Sequence, residues 1–237
     1  MKTALITGST QGIGKAIAAR LVKDGCRVIV HCSSDIEKAE RVREEIGAAQ
    51  AVVCDLSNMD QVAALKEKTG DVDVLILNAS VQYKQTWESI TDEYLQKQLQ
   101  VNFVSTVKLM QAYYPAMQKN GWGRIITIGS VNQHRQHKEL SVYAATKCAV
   151  MSFVKNVAKE VAPFGVTVNN VSPGAIATPR NQSVYNDEAA RKKVEECIPF
   201  GRFGSPEECA GIVAFLSSDE AGYITGADFK ADGGMSL

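Results

Sequence analysis

The chain has 237 residues, and its 26 basic and 26 acidic residues give a formal net charge of zero. A neutral chain of this length can bury the core of one large domain, and it carries no overall field to attract nucleic acid or an anionic membrane surface. No apolar run approaches the about 20 residues of a membrane span, and the N-terminus lacks the apolar stretch of a signal peptide. We therefore expect one domain over residues 1–237, with no nucleic-acid or membrane partner.

Along the chain, short apolar runs rich in β-branched residues alternate with segments of helical periodicity. Seven runs predict strands, namely TALIT, RVIVHC, AVVCDL, VDVLILN, RIITIGS, VTVNNVSP and ADFKADGG. Parallel neighbouring strands need helical crossovers, so this succession predicts a doubly wound α/β fold of the Rossmann type, a parallel seven-stranded sheet with helices on both faces. One long helical segment is expected over residues 91–121.

Two details of this pattern concern its helix starts and its interruption. Ser57 with Asp60, and Ser205 with Glu208, have the spacing of capping boxes. Residues 180–203 form the one long polar stretch that breaks the alternation, and we interpret them as a substrate lid.

The cysteines indicate a reducing compartment. All six, at positions 26, 32, 54, 148, 197 and 209, lack C-x-x-C spacing, and most lie in apolar runs, as reduced core thiols do. We expect a cytoplasmic protein, and we interpret Cys148 as a core residue rather than a nucleophile. His134 and His137 have a metal-like gap but no evident third ligand, so no metal is predicted.

A glycine-rich turn, TGSTQGIG, follows the first strand and opens the first helix. Glycines at such a turn let the backbone approach a pyrophosphate, and the helix N-terminus offers free N–H groups. The residues assigned to cofactor binding in this turn are Gly8, Ser9, Gln11, Gly12, Ile13 and Gly14.

The spacing G-x-x-x-G-x-G resembles that of the short-chain dehydrogenase/reductase family. The resemblance covers nearly the whole chain, through CDLS, LNAS, LQVNF, TIGS, YAATK, SPGAIATP and YITGADFKADGG in family order. It implies an NAD(P)(H)-dependent oxidoreductase that interconverts a small-molecule carbonyl and a secondary alcohol, and a homotetramer. Long helices with more apolar residues than one sheet-facing stripe requires agree with a subunit interface.

Roles for further residues follow from this resemblance. Asp55 would contact the adenine amine, Asn78 would support the cofactor strand, and Thr178 would bind the nicotinamide carboxamide. The same motifs assign Leu56, Ala79, Ser80, Pro173, Gly174 and Ile176 to the cofactor site. Position 80 departs from the family, whose N-N-A-G motif ends in glycine.

The end of the second strand decides between NAD and NADP. An acidic side chain there would accept hydrogen bonds from the ribose, but the position falls on Cys32. Ser33 and Ser34 can donate to a 2′-phosphate, and we interpret Asp35 as a residue that complements the dipole of the next helix. No arginine marks this site, and the position before Gly12 is Gln11. NADP(H) is therefore favoured over NAD(H), with NAD(H) as the alternative.

Tyr143 and Lys147 carry the predicted chemistry. At i and i+4 they share one helix face, so the phenol and the ammonium can converge. A positive charge ~4 Å from the hydroxyl, at an effective dielectric of ~20, favours the phenolate by about 4 kcal/mol before desolvation, or up to ~3 pKa units. Tyrosine then becomes a usable acid and base near neutral pH.

Ser130 and Asn102 complete the expected catalytic set. Ser130 ends the fifth strand, at the sheet edge where ligands bind, and it can donate to a developing oxyanion. By resemblance, Asn102 kinks its helix and holds a water that relays protons through Lys147.

The substrate is less clearly indicated. A basic loop of His134, Arg135, His137 and Lys138 could attract an anion or could simply be solvated. The overall resemblance is to 3-oxoacyl-carrier reductases and to sugar or polyol dehydrogenases. Gly121 and Phe164 stand where carrier reductases tend to have basic docking residues. The alternatives are a 3-oxoacyl-acyl-carrier-protein reductase and, in another class, a dinucleotide-binding sensor or scaffold without turnover.

Overall fold

All seven predicted strands join one parallel sheet in the computed structural model, which describes residues 1–237. The sheet order is β3-β2-β1-β4-β5-β6-β7. The strands are β1 (Thr3–Ile6), β2 (Arg27–Cys32), β3 (Gln50–Val53), β4 (Val74–Leu77), β5 (Gly123–Ile128), β6 (Val166–Pro173) and β7 (Asp228–Ala231). Chain order reverses beside β1, between β1 and β4, and ligands bind at such a point in open α/β sheets.

Helices cover both faces of this sheet. They are α1 (Gly12–Lys23), α2 (Ile36–Ile46), α3 (Met59–Thr69), α4 (Asp92–Leu99), α5 (Ser105–Asn120), α6 (Ser141–Val161), α7 (Gln182–Asn186), α8 (Glu188–Glu195) and α9 (Pro206–Leu216). No helix is long and apolar enough to cross a bilayer. The Rossmann-type architecture predicted from the alternating pattern is confirmed.

Alternation along the strands divides the core in two. In β1, Leu5 joins a cluster of 23 buried residues formed with α3, α5 and α6. Its neighbours Ala4 and Ile6 point to the other face and join a cluster of 21 buried residues formed with α1, α2 and α9. A strand covered on both faces is apolar at most positions, and this explains the near-continuous apolar runs in the sequence.

The long helical segment expected over residues 91–121 is interrupted. A π-helical turn at Gln100–Val104 separates α4 from α5. Such turns insert an extra residue and widen the helix, and they occur frequently at functional sites. Asn102 lies inside this turn, where the family resemblance had suggested a kink.

The two predicted capping boxes have different outcomes. Ser205 and Glu208 form the reciprocal pair at the start of α9, as expected. The prediction for Ser57 with Asp60 is wrong, because α3 begins one residue later and Asn58 is its N-cap. The Ser57 hydroxyl instead donates to Asp55 at 2.8 Å.

Candidate active site

A cavity of about 890 Å³ opens at the carboxyl edge of the sheet. It runs from the turn after β1, past the ends of β2 and β3, to the ends of β4, β5 and β6 and to the 180–203 segment. The parallel topology brings all these loops to one edge, because every strand points the same way.

Backbone geometry explains the glycines of the first turn. Gly8 has φ +63°, which L-residues with a side chain rarely adopt. At Gly14 a Cβ would overlap the Gly8 carbonyl oxygen and the Asn78 side-chain amide, so only glycine lets α1 pack this close to the strand. No side chain caps the N-terminus of α1, and its first N–H groups are free to bind an anion.

Two polar side chains hold this turn in place. Asn78 donates through Nδ2 to the carbonyls of Thr7 and Gly8, at 2.9 and 3.0 Å. The Nδ1 atom of His31 accepts a hydrogen bond from the Gly8 N–H at 3.0 Å. Its other ring nitrogen, Nε2, lies 3.0 Å from the carbonyl oxygen of Cys54. Burial lowers the pKa of His31 to about 4, so the ring is neutral and can accept at neutral pH.

At the adenosine end, the cavity is lined by Cys32, Ser33, Ser34 and, one helical turn further on, Lys38. The Lys38 ammonium donates to Gln11 Oε1 at 2.8 Å, across the mouth of the glycine turn. Sequence reasoning missed this lysine, because nothing in the local pattern tells which face of α2 meets the turn. Asp35 does not line the cavity; it caps α2 by accepting from the Lys38 N–H.

Asp55 and its neighbour Leu56 line the same end of the cavity. The Asp55 Oδ1 accepts from the N–H and the hydroxyl of Ser57, at 2.9 and 2.8 Å. The backbone hydrogen bond from Ser57 is the main reason why the pKa of Asp55 is lowered. These hydrogen bonds hold an ionised carboxylate whose Oδ2 can accept from a ligand.

Tyr143 and Lys147 lie on the buried stripe of α6 and line the chemical end of the cavity. The Lys147 ammonium is 5.6 Å from the centroid of the Tyr143 ring and donates to the Ile128 carbonyl at 2.7 Å. Burial raises the pKa of Tyr143, but the charges of Lys147 and Arg180 and the hydroxyls of Ser130 and Ser80 outweigh it, so the pKa is lowered. Burial, with the charge of Arg180, also lowers the pKa of Lys147.

Ser130 follows β5 and lines the same end of the cavity as Tyr143. Its side chain caps a short 3₁₀ turn, Val131–Gln133, by accepting from the Asn132 N–H at 3.1 Å. Because the hydroxyl oxygen accepts in that bond, its proton remains available for a ligand.

Asn102 is placed behind the site and does not line the cavity. Its Oδ1 accepts from the Val81 N–H at 2.8 Å, and its Nδ2 donates to the Val81 carbonyl at 2.9 Å and to Thr146 Oγ1 at 3.2 Å. These contacts join the π-helical turn to the loop after β4 and to the turn of α6 that carries Lys147.

Arg180 is the second side chain of the cavity wall that sequence reasoning missed. The sequence gives it only as the first residue of the lid, yet its guanidinium donates to Ser80 Oγ at 3.1 Å and to the Ser80 carbonyl at 2.7 Å. Position 80 is the departure from the family motif. The serine hydroxyl and the arginine therefore meet beside Tyr143.

All but one of the remaining predicted cofactor residues line the cavity. The structure brings to the cavity wall Gly8, Gln11, Gly12, Ile13, Gly14, Asn78, Ala79, Ser80, Pro173, Gly174, Ile176 and Thr178. Ser9 is not among them, because it is fully buried and its hydroxyl donates to the Ile6 carbonyl and accepts from the His31 N–H. No three His, Cys, Asp or Glu side chains are grouped so that they could hold a metal ion.

A glycine turn at a parallel sheet edge, with a buried tyrosine–lysine pair in the same cavity, defines the class of dinucleotide-dependent oxidoreductases. Comparison with known proteins agrees. The family described as "Enoyl-(Acyl carrier protein) reductase" matches residues 8–236. Dehydrogenase/reductase SDR family member 4 of Sus scrofa is 36% identical over 247 residues, covering 99% of this chain and 87% of that protein.

Two further relatives extend the comparison. The 3-oxoacyl-[acyl-carrier-protein] reductase FabG of Haemophilus influenzae is 37% identical over 241 residues, covering 100% of this chain and 98% of that protein. A 3-oxoacyl (acyl-carrier-protein) reductase of Agrobacterium tumefaciens C58, solved with NADP bound, superposes with a TM-score of 0.94 at 35% identity, covering 98% of this chain and 93% of that one. The chain belongs to the short-chain dehydrogenase/reductase family. It is an NAD(P)-dependent oxidoreductase that interconverts carbonyls and alcohols.

Proposed function

We propose that Tyr143 is the proton donor and acceptor of this oxidoreductase. The observation that carries the proposal is the buried phenol beside two cations, Lys147 and Arg180, because these lower its pKa towards neutrality. In the reductive direction Tyr143 gives its proton to the carbonyl oxygen, and in the oxidative direction the phenolate takes the alcohol proton. Ser130 donates to the same oxygen as negative charge develops there.

Lys147 and Asn102 have supporting roles in this proposal. Lys147 stabilises the phenolate electrostatically, and with Tyr143 it lines the cavity where the cofactor ribose would bind. Asn102 fixes the helix that carries both residues, through Thr146 and Val81. Its side-chain contacts support a positioning role over direct contact with the substrate.

The cavity fits a dinucleotide. The glycine turn, whose space a Cβ at Gly14 would fill, and the free N–H groups at the uncapped start of α1 would bind the pyrophosphate. Asp55 would contact the adenine, and Thr178 would contact the nicotinamide carboxamide. When bound, the nicotinamide supplies or accepts the hydride.

The preferred cofactor in this proposal is NADP(H). The Lys38 ammonium, which donates to Gln11, and the hydroxyls of Ser33 and Ser34 form a cationic site that can donate hydrogen bonds. No carboxylate lines the cavity next to these two serines. Lys38→Met should weaken NADPH binding by about 5-fold, the effect of one exposed ion pair of about 1 kcal/mol, and leave NADH binding unchanged. Fluorescence titration with both cofactors measures this; tighter binding of NADH than NADPH by the unaltered protein would reverse the assignment.

Tyr143→Phe tests the catalytic assignment. The variant should bind NADPH with unchanged affinity, because only one hydroxyl is removed, while kcat falls by about 100- to 10,000-fold, the usual contribution of a positioned acid or base. Absorbance of the reduced nicotinamide, followed with a panel of carbonyl compounds, gives the rate. Turnover equal to that of the unaltered enzyme would refute the assignment.

We further infer that the chain works as one domain whose 180–203 segment covers the substrate, and that four copies associate. The lid interpretation is supported by Asn181, Val184, Lys193 and Cys197, which line the cavity. Association is supported by the exposed Tyr94 and Leu99 on α4. Six unpaired cysteines support a reducing, cytoplasmic setting.

A second candidate function is reduction of 3-oxoacyl groups on a carrier protein. The names of the relatives from Haemophilus and Agrobacterium favour it. Against it, Gly121 and Phe164 are uncharged residues at the positions where basic docking residues would be expected, and Phe164 is 42% exposed. Including a 3-oxoacyl pantetheine thioester in the panel separates the two, since only a carrier-type reductase prefers it.

A further inference from the structure

Arg180 is a cation without a counterion. Its guanidinium has five N–H donors, and the two hydrogen bonds to Ser80 leave three of them free. No carboxylate lies within salt-bridge distance of it. The other two arginines of the lid region are paired, Arg191 with Glu195 at 3.8 Å and Arg202 with Glu208 at 2.7 Å.

Its position is at the reacting centre. Arg180 lines the same cavity as Tyr143 and Lys147, and its charge acts on the pKa of both. Two cations near one another repel, and partial removal from water raises the free energy of each. An anion bound between the lid and the end of β4 would relieve both effects.

The rest of the lining has the same sign. At the chemical end, Lys84, Arg135 and Lys193 face the cavity, while Asp55 at the adenosine end is the only carboxylate of the whole lining. A cleft lined by one sign of charge concentrates oppositely charged ligands. Ser80 adds the means of orientation, because its hydroxyl and carbonyl both hold the guanidinium.

We propose that Arg180, held by Ser80, binds the carboxylate of the substrate, so that the enzyme acts on small oxo acids and the corresponding hydroxy acids. This deepens the proposed function and rests on it. A planar guanidinium with several free donors matches a carboxylate in geometry as well as in charge. A neutral ester or thioester would leave the guanidinium unpaired, so Arg180 selects against both.

The test compares acids with their methyl esters, which keep the carbonyl and remove the charge. Pyruvate, acetoacetate and levulinate, each with its methyl ester, place the carboxylate at three distances from the reacting carbonyl. In at least one pair the acid should have a kcat/KM about 10- to 100-fold above that of its ester. Arg180→Met should abolish this preference, because kcat/KM for the acid should fall about 10- to 100-fold further than any loss that acid and ester share through Tyr143.

Two controls make the result specific. Lys192→Met removes a positive charge from α8 that does not line the cavity, and it should leave the acid preference intact. Each variant is compared at its own pH optimum, since loss of Arg180 also raises the pKa of Tyr143 and moves the optimum upward for acid and ester alike.

The contradicting results are equally defined. Esters reduced as well as acids in every pair, or an equal loss for acid and ester in Arg180→Met, would overturn the proposal. If no compound is reduced, binding of malonate to the enzyme–NADPH complex is measured by nicotinamide fluorescence. Binding that Arg180→Met weakens at least 10-fold supports the carboxylate site, and binding that is absent or unchanged overturns it. If Tyr143→Phe keeps its turnover, the result contradicts the proposed catalytic role of Tyr143 and not the binding of a carboxylate by Arg180.

Discussion

His31 links three parts of the nucleotide end through its buried ring. It lies on β2, accepts from the Gly8 N–H of the turn after β1, and contacts the Cys54 carbonyl after β3. The ring must be neutral to accept from Gly8, because a protonated ring has two donors and no acceptor. The shape of the glycine turn is therefore tied to the protonation state of one buried side chain.

A pH dependence of stability follows from His31. Its pKa is about 4 in the folded chain and 6.5 ordinarily, so between these values the unfolded chain binds more protons. Stability from this group is fully present above about pH 6.5 and is lost as pH falls towards 4, by up to about 3 kcal/mol. Urea unfolding across this range should show the loss in the unaltered protein and a shallower one in His31→Leu. An equal slope in both would contradict the role of His31.

At the scale of elements, α3 and α9 show how far local sequence signals reach. Ser205 and Glu208 gave the start of α9 correctly, whereas the start of α3 was assigned one residue early because Ser57 and Asn58 are both good caps. Asp55 decides between them, because its carboxylate accepts the hydrogen bond of the Ser57 hydroxyl. Asn58 then caps the helix by accepting from the N–H groups of Asp60 and Gln61.

Alanine substitutions at these caps test the corrected boundary. Asn58→Ala and Ser205→Ala should each cost about 1 kcal/mol of unfolding free energy, because each leaves helix N–H groups without an acceptor. Ser57→Ala should cost less, since its hydroxyl caps no helix. Urea midpoints at constant m-value give the three numbers, and a Ser57→Ala cost above that of Asn58→Ala would restore the first assignment.

For the whole molecule, the fold could be predicted because apolar periodicity is a local property and parallel sheets admit few topologies. Most of the site could be predicted too, through family motifs at the strand ends. Arg180 and Lys38 could not, since Arg180 lies 100 positions from Ser80 and Lys38 lies 27 from Gln11. Their contacts exist only after the strand ends meet, and residue type alone does not reveal them.

Charge at this scale is also organised by the fold. The net charge of zero excludes a strong overall field, but seven Lys and Arg residues and a single carboxylate line the cavity. The balanced composition therefore conceals a cationic cavity surface, formed by residues of helices and loops from both halves of the chain. The Tyr143 hydroxyl lies within that cationic surface, and its acidity depends on the assembled cavity as a whole.

A direct titration of Tyr143 tests this central claim without any substrate. The ultraviolet absorbance of phenolate is followed with pH in the unaltered protein and in Tyr143→Phe, and the difference isolates one tyrosine among seven. The difference curve should have a midpoint below the ordinary value of about 10, and Lys147→Met should move it upward. A midpoint at or above about 10, unmoved by Lys147→Met, would show that the neighbouring cations do not acidify Tyr143.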